Sequence, residues 1–167
     1  MLKAFPVVSL TRKAVAIGNL SAAEWLRLYE LSRQTRPAVW VMTPDQYRRR
    51  ILKDTSPHCS SIQLLDPTTD TILAACFLNP TLLHSPSGSR RVPYITQLNR
   101  DLSCESYRGT GSLLLDTVLE GTGSSVYLKP ANRELEKMYQ GLGFVPTDYT
   151  GAGNPWFPIY SKSVPHL

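Results

Sequence analysis

The sequence is poor in the residues that build covalent or metal-held scaffolds. Its three cysteines, Cys59, Cys76 and Cys104, are scattered and show no C-x-x-C spacing. That excludes a disulfide framework and a cysteine zinc site, and it fits a reducing cytoplasm. The histidines are as dispersed: His58 falls in a loop, His84 beside a Ser/Pro tract and His166 next to the last residue, each a solvated position. No metal is expected. No apolar run approaches the roughly 20 residues of a membrane span. The opening MLKAFPVVSLTRKAVAIG has Arg12 and Lys13 inside its apolar part, which argues against a secretion signal. Residues 1–18 therefore read as a peripheral arm or a first strand. There is no internal repeat.

What is present fits one domain over residues 1–167, with 42% hydrophobic residues and a net charge of +5. The charge is spread along the chain apart from Arg48, Arg49 and Arg50. It permits a polyanion as well as an anionic small molecule, and a nucleic-acid role would rest on this charge and the arginine triplet alone. NLSAAEWLRLYELSRQ reads as a helix: Ser21 and Glu24 have capping-box spacing, and Trp25, Leu28, Tyr29 and Leu31 form an apolar stripe. After TRP, TPDQYRRRIL repeats the device with Thr43, Pro44 and Gln46, which places Tyr47, Ile51 and Leu52 inward. SIQLLD and TILAACFLNP then read as a hairpin about the turn PTTD, HSPSGSRR as a loop and VPYITQLNRDLSC as a further strand. A helix to about Glu120, the strand SVYLKP, a helix ANRELEKMYQGLGF stopped at Gly143, and a last strand around Ile159–Ser161 complete the chain. Strand–helix–strand in the C-terminal half requires a parallel pairing, whereas the hairpin is antiparallel. The fold class is α/β (α+β): a mixed, mostly antiparallel central sheet with helices on both faces, and not a doubly wound one.

One stretch needs a chemical reason. SCESYRGTGSLLLDTV puts Gly109 and Gly111 at the entrance of a leucine-rich helix, where each glycine costs about 1 kcal/mol relative to alanine. Bare amides at a helix start bind phosphate when the backbone can approach closely. Taken alone, the pair equally well shapes a tight strand-to-helix turn. No Gly-Lys-Ser/Thr ending follows, which removes a nucleoside triphosphate P-loop. The third glycine of the dinucleotide fingerprint and its acidic partner are missing too.

SYRGTGSLLLDTVL followed by VYLKPANRELEKMYQGLGFVP resembles the Gcn5-related N-acetyltransferase (GNAT) superfamily. Asn132, Tyr139, Gly143 and Phe144 fall on the spacing of that family's Asn…Tyr-x-x-x-Gly-Phe helix, with Met138 where an aromatic is usual. The specific part of the resemblance covers about Ser106 to Phe144. Setting Arg108 on the motif's basic position would bury Asp116. Setting Gly109 and Gly111 on its two glycines puts Leu114 and Leu115 inward and Ser106 on the basic position, and this register is preferred.

The resemblance implies an N-acyltransferase in the cytoplasm that uses acetyl-CoA or another acyl-CoA, with an amine acceptor, small molecule or protein. It implies a pyrophosphate seat at Arg108, Gly109, Thr110, Gly111 and Ser112, and a pantetheine arm along the strand edge near Leu102, Ser103 and Cys104. Asn132 would touch the cofactor. Tyr139 would be the general acid, and Asp101 leads Asn99 and Glu105 as candidate base. Cys104 also invites a covalent route, but no histidine lies near it in sequence. A GNAT-like module that binds acyl-CoA or a partner without chemistry is the alternative, and a homodimer is left open. The acceptor loops fall in NPTLLHSPSGSRRVP and YTGAGNPWFP.

Overall fold

The computed structural model describes residues 10–103, 109–152 and 156–164. The described start of the chain is a strand, β1 (Thr11–Ala16). Ser21 then opens α1 (Ala22–Thr35) with a full capping box: the Ser21 hydroxyl accepts from the Glu24 amide, and the Glu24 carboxylate accepts from the Ser21 amide. The helix stops because Pro37 follows. The residue before a proline avoids the helical region, and Arg36 is extended at φ −121° and ψ 103°. A single turn, α2 (Pro37–Trp40), leads to α3 (Pro44–Asp54), where Thr43 and Gln46 repeat the capping box.

The hairpin strands are β2 (Ser60–Leu65) and β3 (Ile72–Ser85), followed by β4 (Gly88–Arg100). HSPSGSRR, expected as a loop, is instead the tip of a long β3–β4 hairpin that closes at Ser85 and Gly88 with only Pro86 and Ser87 between them. Tertiary packing overrides the turn-like composition. Leu83 and Val92 are buried with Tyr94, Tyr127 and Ile159, and His84 exchanges backbone hydrogen bonds of 2.9 and 2.7 Å with Thr150.

The second half runs α4 (Thr110–Thr122), β5 (Val126–Leu128), α5 (Arg133–Gly141), β6 (Val145–Pro146) and β7 (Tyr160–Lys162). Gly143, at φ +95°, follows the end of α5 as the sequence pattern requires. The seven strands form one sheet in the order β1-β2-β3-β4-β5-β7-β6. Every pairing is antiparallel except β4 with β5.

Strand alternation splits the core between two faces. Leu64, Ala74 and Cys76 meet α4 and α5 through Leu114, Leu115, Val118, Leu119 and Tyr139. Leu65, Ala75 and Phe77 meet α1, α2 and α3 through Trp25, Leu28, Leu31, Val39, Tyr47 and Ile51. Asp116 is exposed while Leu114 and Leu115 are buried, so α4 has the rotation of the preferred glycine register. No described helix is long and apolar enough to cross a membrane.

Candidate functional site

The site begins with a defect in β4. Ala75 pairs with Asn99 and Phe77 with Thr96, so Cys76 alone faces both Gln97 and Leu98. This is a β-bulge, and Gln97 takes its strain at φ +53°. The left-handed region costs a non-glycine residue roughly 1–2 kcal/mol, so the conformation needs support. The Ser32 hydroxyl donates to Gln97 Oε1 at 3.2 Å, and Asn99 Nδ2 donates to the Gln97 carbonyl at 3.1 Å. β4 and β5 pair at a single position, Tyr94 with Tyr127. Beyond it, Ile95–Arg100 keeps β3 on one edge and has no strand on the other.

This open edge stops earlier than the sequence implied. Leu102 and Ser103 lie past the end of β4, in a turn. The Leu102 amide donates to Gln34 Oε1 at 2.8 Å and the Ser103 amide to Asp101 Oδ1 at 3.0 Å, the latter an Asx-turn. Their amides are thus already used, and the free edge belongs to residues 95–100. Cys104 and Arg108, assigned to the cofactor from the sequence, lie outside the described residues, as do Glu105 and Ser106.

The glycine segment delivers a bare helix start. Gly109, at φ +87°, is the N-cap of α4 and supplies no side-chain cap, so among the described residues the first amides of the helix have no capping side chain. Thr110 is buried and Ser112 half-buried. A Cβ placed on Gly111 would meet no heavy atom of the described residues within 4 Å. The helix packs across β2, β3, β4 and β5.

Two groups address each other from opposite faces of the sheet. Tyr139, 6% exposed, belongs to the α4/α5 side and packs against Phe144 at 5.8 Å between ring centroids. Arg36 closes α1 on the other side, where its Nε donates to Asn99 Oδ1 at 3.3 Å. Burial pushes the Tyr139 phenol above its ordinary value, and the Arg36 charge pulls against it. No described hydrogen bond uses that phenol. A tyrosine in this state keeps its proton at neutral pH. A cavity of about 460 Å³ is lined by Arg36, Tyr47, Arg50, Gln97 and Asn132, among others. It therefore touches β4 at its bulge and also the start of α5, the two sides of the opening.

Asp101 is placed differently from a base. Its carboxylate pairs with Arg27 at 2.8 Å and accepts from Gln34 Nε2 at 3.2 Å and from the Ser103 hydroxyl at 2.6 Å. Burial pushes its pKa up, but the hydrogen bonds from Ser103, Arg27 and Gln34 outweigh it and hold the group at about 2. A base is effective with a pKa near the working pH, so this carboxylate is a weak one. Asn99, the second candidate, is buried and spends Oδ1 on Thr35 and Arg36. Asn132 caps α5, its Oδ1 accepting from the Leu135 amide at 2.8 Å, which leaves its amide nitrogen for a ligand.

Sequence reasoning missed Gln97 and Arg36. The dipeptide Arg36-Pro37 marks a helix end beside a cation, whereas the bulge has no local signal. Among the described residues, no group of three or more His, Cys, Asp or Glu gathers as metal ligands would.

No family model matches the sequence, and no curated protein matches it. Solved structures do match. A histone acetyltransferase HPA2 and related acetyltransferase from Corynebacterium glutamicum superposes with a TM-score of 0.63 at 17% identity, over 95% of this chain and 98% of that one. An acyl-CoA N-acyltransferase from Pseudomonas aeruginosa gives 0.59 at 17% identity, over 92% and 97%. A conserved protein of unknown function from Enterococcus faecalis gives 0.56 at 15% identity over 82% of this chain, which spans 33% of that longer protein. The chain has the GNAT fold.

Proposed function

We propose that the protein is an N-acyltransferase that moves an acyl group, acetyl in the first instance, from acyl-CoA to an amine by direct attack. The observation that carries the reading is the coincidence of two features. Among the described residues no side chain caps the start of α4 or fills the space at Gly111, and a strand edge is left unpaired by the divergence of β4 from β5. The first suits a pyrophosphate, because orphan amides and the helix dipole both favour negative charge. The second suits the amide-rich pantetheine arm, which takes strand-like hydrogen bonds from an open edge.

In this reading the amides of Thr110, Gly111 and Ser112 hold the pyrophosphate, with Arg108 adding charge beside them, and Ile95–Arg100 holds the arm. A β4 amide at the bulge stabilises the oxyanion that forms when the amine attacks the thioester carbonyl. The new C–N bond forms, the C–S bond breaks, and Tyr139 gives its proton to the departing thiolate. The ammonium first gives one proton to water in the cavity, because Asp101 is committed to Arg27, and after attack the second nitrogen proton passes through water to restore the Tyr139 phenol. Asp101 then acts as a positioning residue that ties α1 to the end of β4.

That commitment of Asp101 also favours a second reading, a module that binds acyl-CoA without turning it over. One experiment separates them. Acetyl-CoA raises the melting temperature in both readings, and release of free CoA thiol across an amine panel occurs only in the first. No shift at saturating acetyl-CoA contradicts both.

A further inference from the structure

Several arginines have carboxylate partners among the described residues, and Arg33 and Arg48 lie over the Tyr29 and Trp25 rings. Arg27 pairs with Asp101 and Glu30, Arg50 with Asp54, Arg49 with Asp45 and Arg12 with Glu120. Among the described residues, no carboxylate pairs with Arg36, although Arg36 is less exposed than Arg49 or Arg50. Its Nε donates to Asn99 Oδ1, a neutral oxygen that also accepts from the Thr35 hydroxyl at 3.0 Å. The terminal nitrogens of the fork donate in no described hydrogen bond. A partly desolvated guanidinium with its donors unanswered is costly, and burial pulls its pKa down, with only the Tyr47 and Tyr139 phenols pulling the other way.

The position of this cation gives the cost a use. Arg36 lines the cavity of about 460 Å³ that also touches Gln97 at the bulge and Asn132 at the start of α5. That volume suits a small molecule. Arg50, the other arginine in the lining, is exposed and already lies 4.0 Å from Asp54. The available charge is therefore that of Arg36, next to the opening where the acyl group would arrive.

We propose that the acceptor is a small amine bearing a carboxylate, and that the Arg36 fork holds this carboxylate in the cavity between α1, α3 and the β4 bulge. The inference rests on the acyltransfer reading and names its substrate class. A planar guanidinium matches a planar carboxylate with two parallel hydrogen bonds, and fixing that end of an amino acid leaves its amine to face the gap.

The test uses the whole chain, acetyl-CoA, and the common α-amino acids beside their carboxamides, which keep the amine and lose the charge. Thiol release is expected for one or more amino acids and at least about 10-fold less for the matching amide. Arg36→Gln raises KM for that amino acid by about 10- to 100-fold, the range of a lost charge-assisted hydrogen bond. Its acetyl-CoA affinity, read by melting with and without the ligand, stays that of the native protein. Arg36→Lys recovers part of the loss. The inference is overturned if amides react as well as acids, or if no acid reacts while acetyl-CoA still binds. An unchanged acid-over-amide preference in Arg36→Gln overturns it too. Failure of acetyl-CoA to bind at all removes the acyltransfer reading itself.

Discussion

Replacing Gly111 by alanine separates what the helix wants from what a ligand wants. Gly111 is the second residue of α4, its φ is ordinary, and a Cβ there contacts nothing within 4 Å. The ligand-free protein should therefore gain the helix-propensity difference, about 0.5–1 kcal/mol. For a chain of this length that corresponds to a melting temperature higher by about 1–4 °C. The added methyl group occupies the space through which a pyrophosphate would approach the Gly111 amide. A 10-fold loss of affinity removes about 1.4 kcal/mol from the ligand-induced stabilisation, or about 3–6 °C of shift at saturating concentration. Melting curves with and without acetyl-CoA read both effects in one experiment. The variant should melt higher alone and gain less from acetyl-CoA. If it melts higher and gains as much as the native protein, the α4 amides are not the phosphate seat. Gly109→Ala supplies the opposite control, because φ +87° penalises any side chain. It should melt lower by about 2–8 °C, from a cost of about 1–2 kcal/mol.

Tyr139→Phe should lower turnover by about 100-fold or more, the range of a lost general acid, with acetyl-CoA affinity unchanged. Steady-state thiol release checks it, and full turnover would take Tyr139 out of the acid role. Asp101 makes stability pH-dependent. Its folded pKa of about 2 lies below the ordinary 3.8, so its contribution is present above pH 4 and disappears as the pH falls through 2. The amount is on the order of 2 kcal/mol. Urea unfolding at pH 6 and at pH 2.5 should show this loss in the native protein and not in Asp101→Asn. Equal losses in the two proteins would contradict the assignment.

The legible parts of this fold are those with local causes. Ser21 with Glu24 and Thr43 with Gln46 mark helix starts because a capping box closes within four residues. The leucines of α4 fix its rotation because burial of Asp116 would be costly. The glycine pair marks the start of α4 from its own few residues, Gly109 standing at its N-cap. What escaped depends on distant partners. HSPSGSRR became strand because Leu83 and Val92 find Tyr127 and Ile159, residues far along the chain. The Gln97 bulge comes from a mismatch of register between β3 and β4, which neither strand shows alone. Arg36 stands out only once α1 is laid on β4, where a neutral Asn99 meets it instead of a carboxylate. Asp101 led the candidate bases on its place near the end of β4, and its partners Arg27 and Gln34 come from a helix about seventy residues earlier.

The most direct test of the account is a crystal structure of the protein with acetyl-CoA. The pyrophosphate should accept hydrogen bonds from amides between Gly109 and Ser112, and the arm should run along Ile95–Arg100 with its thioester between Tyr139 and the Gln97 bulge. Acetyl-CoA bound anywhere else, with the β4 edge and the start of α4 untouched, would contradict it.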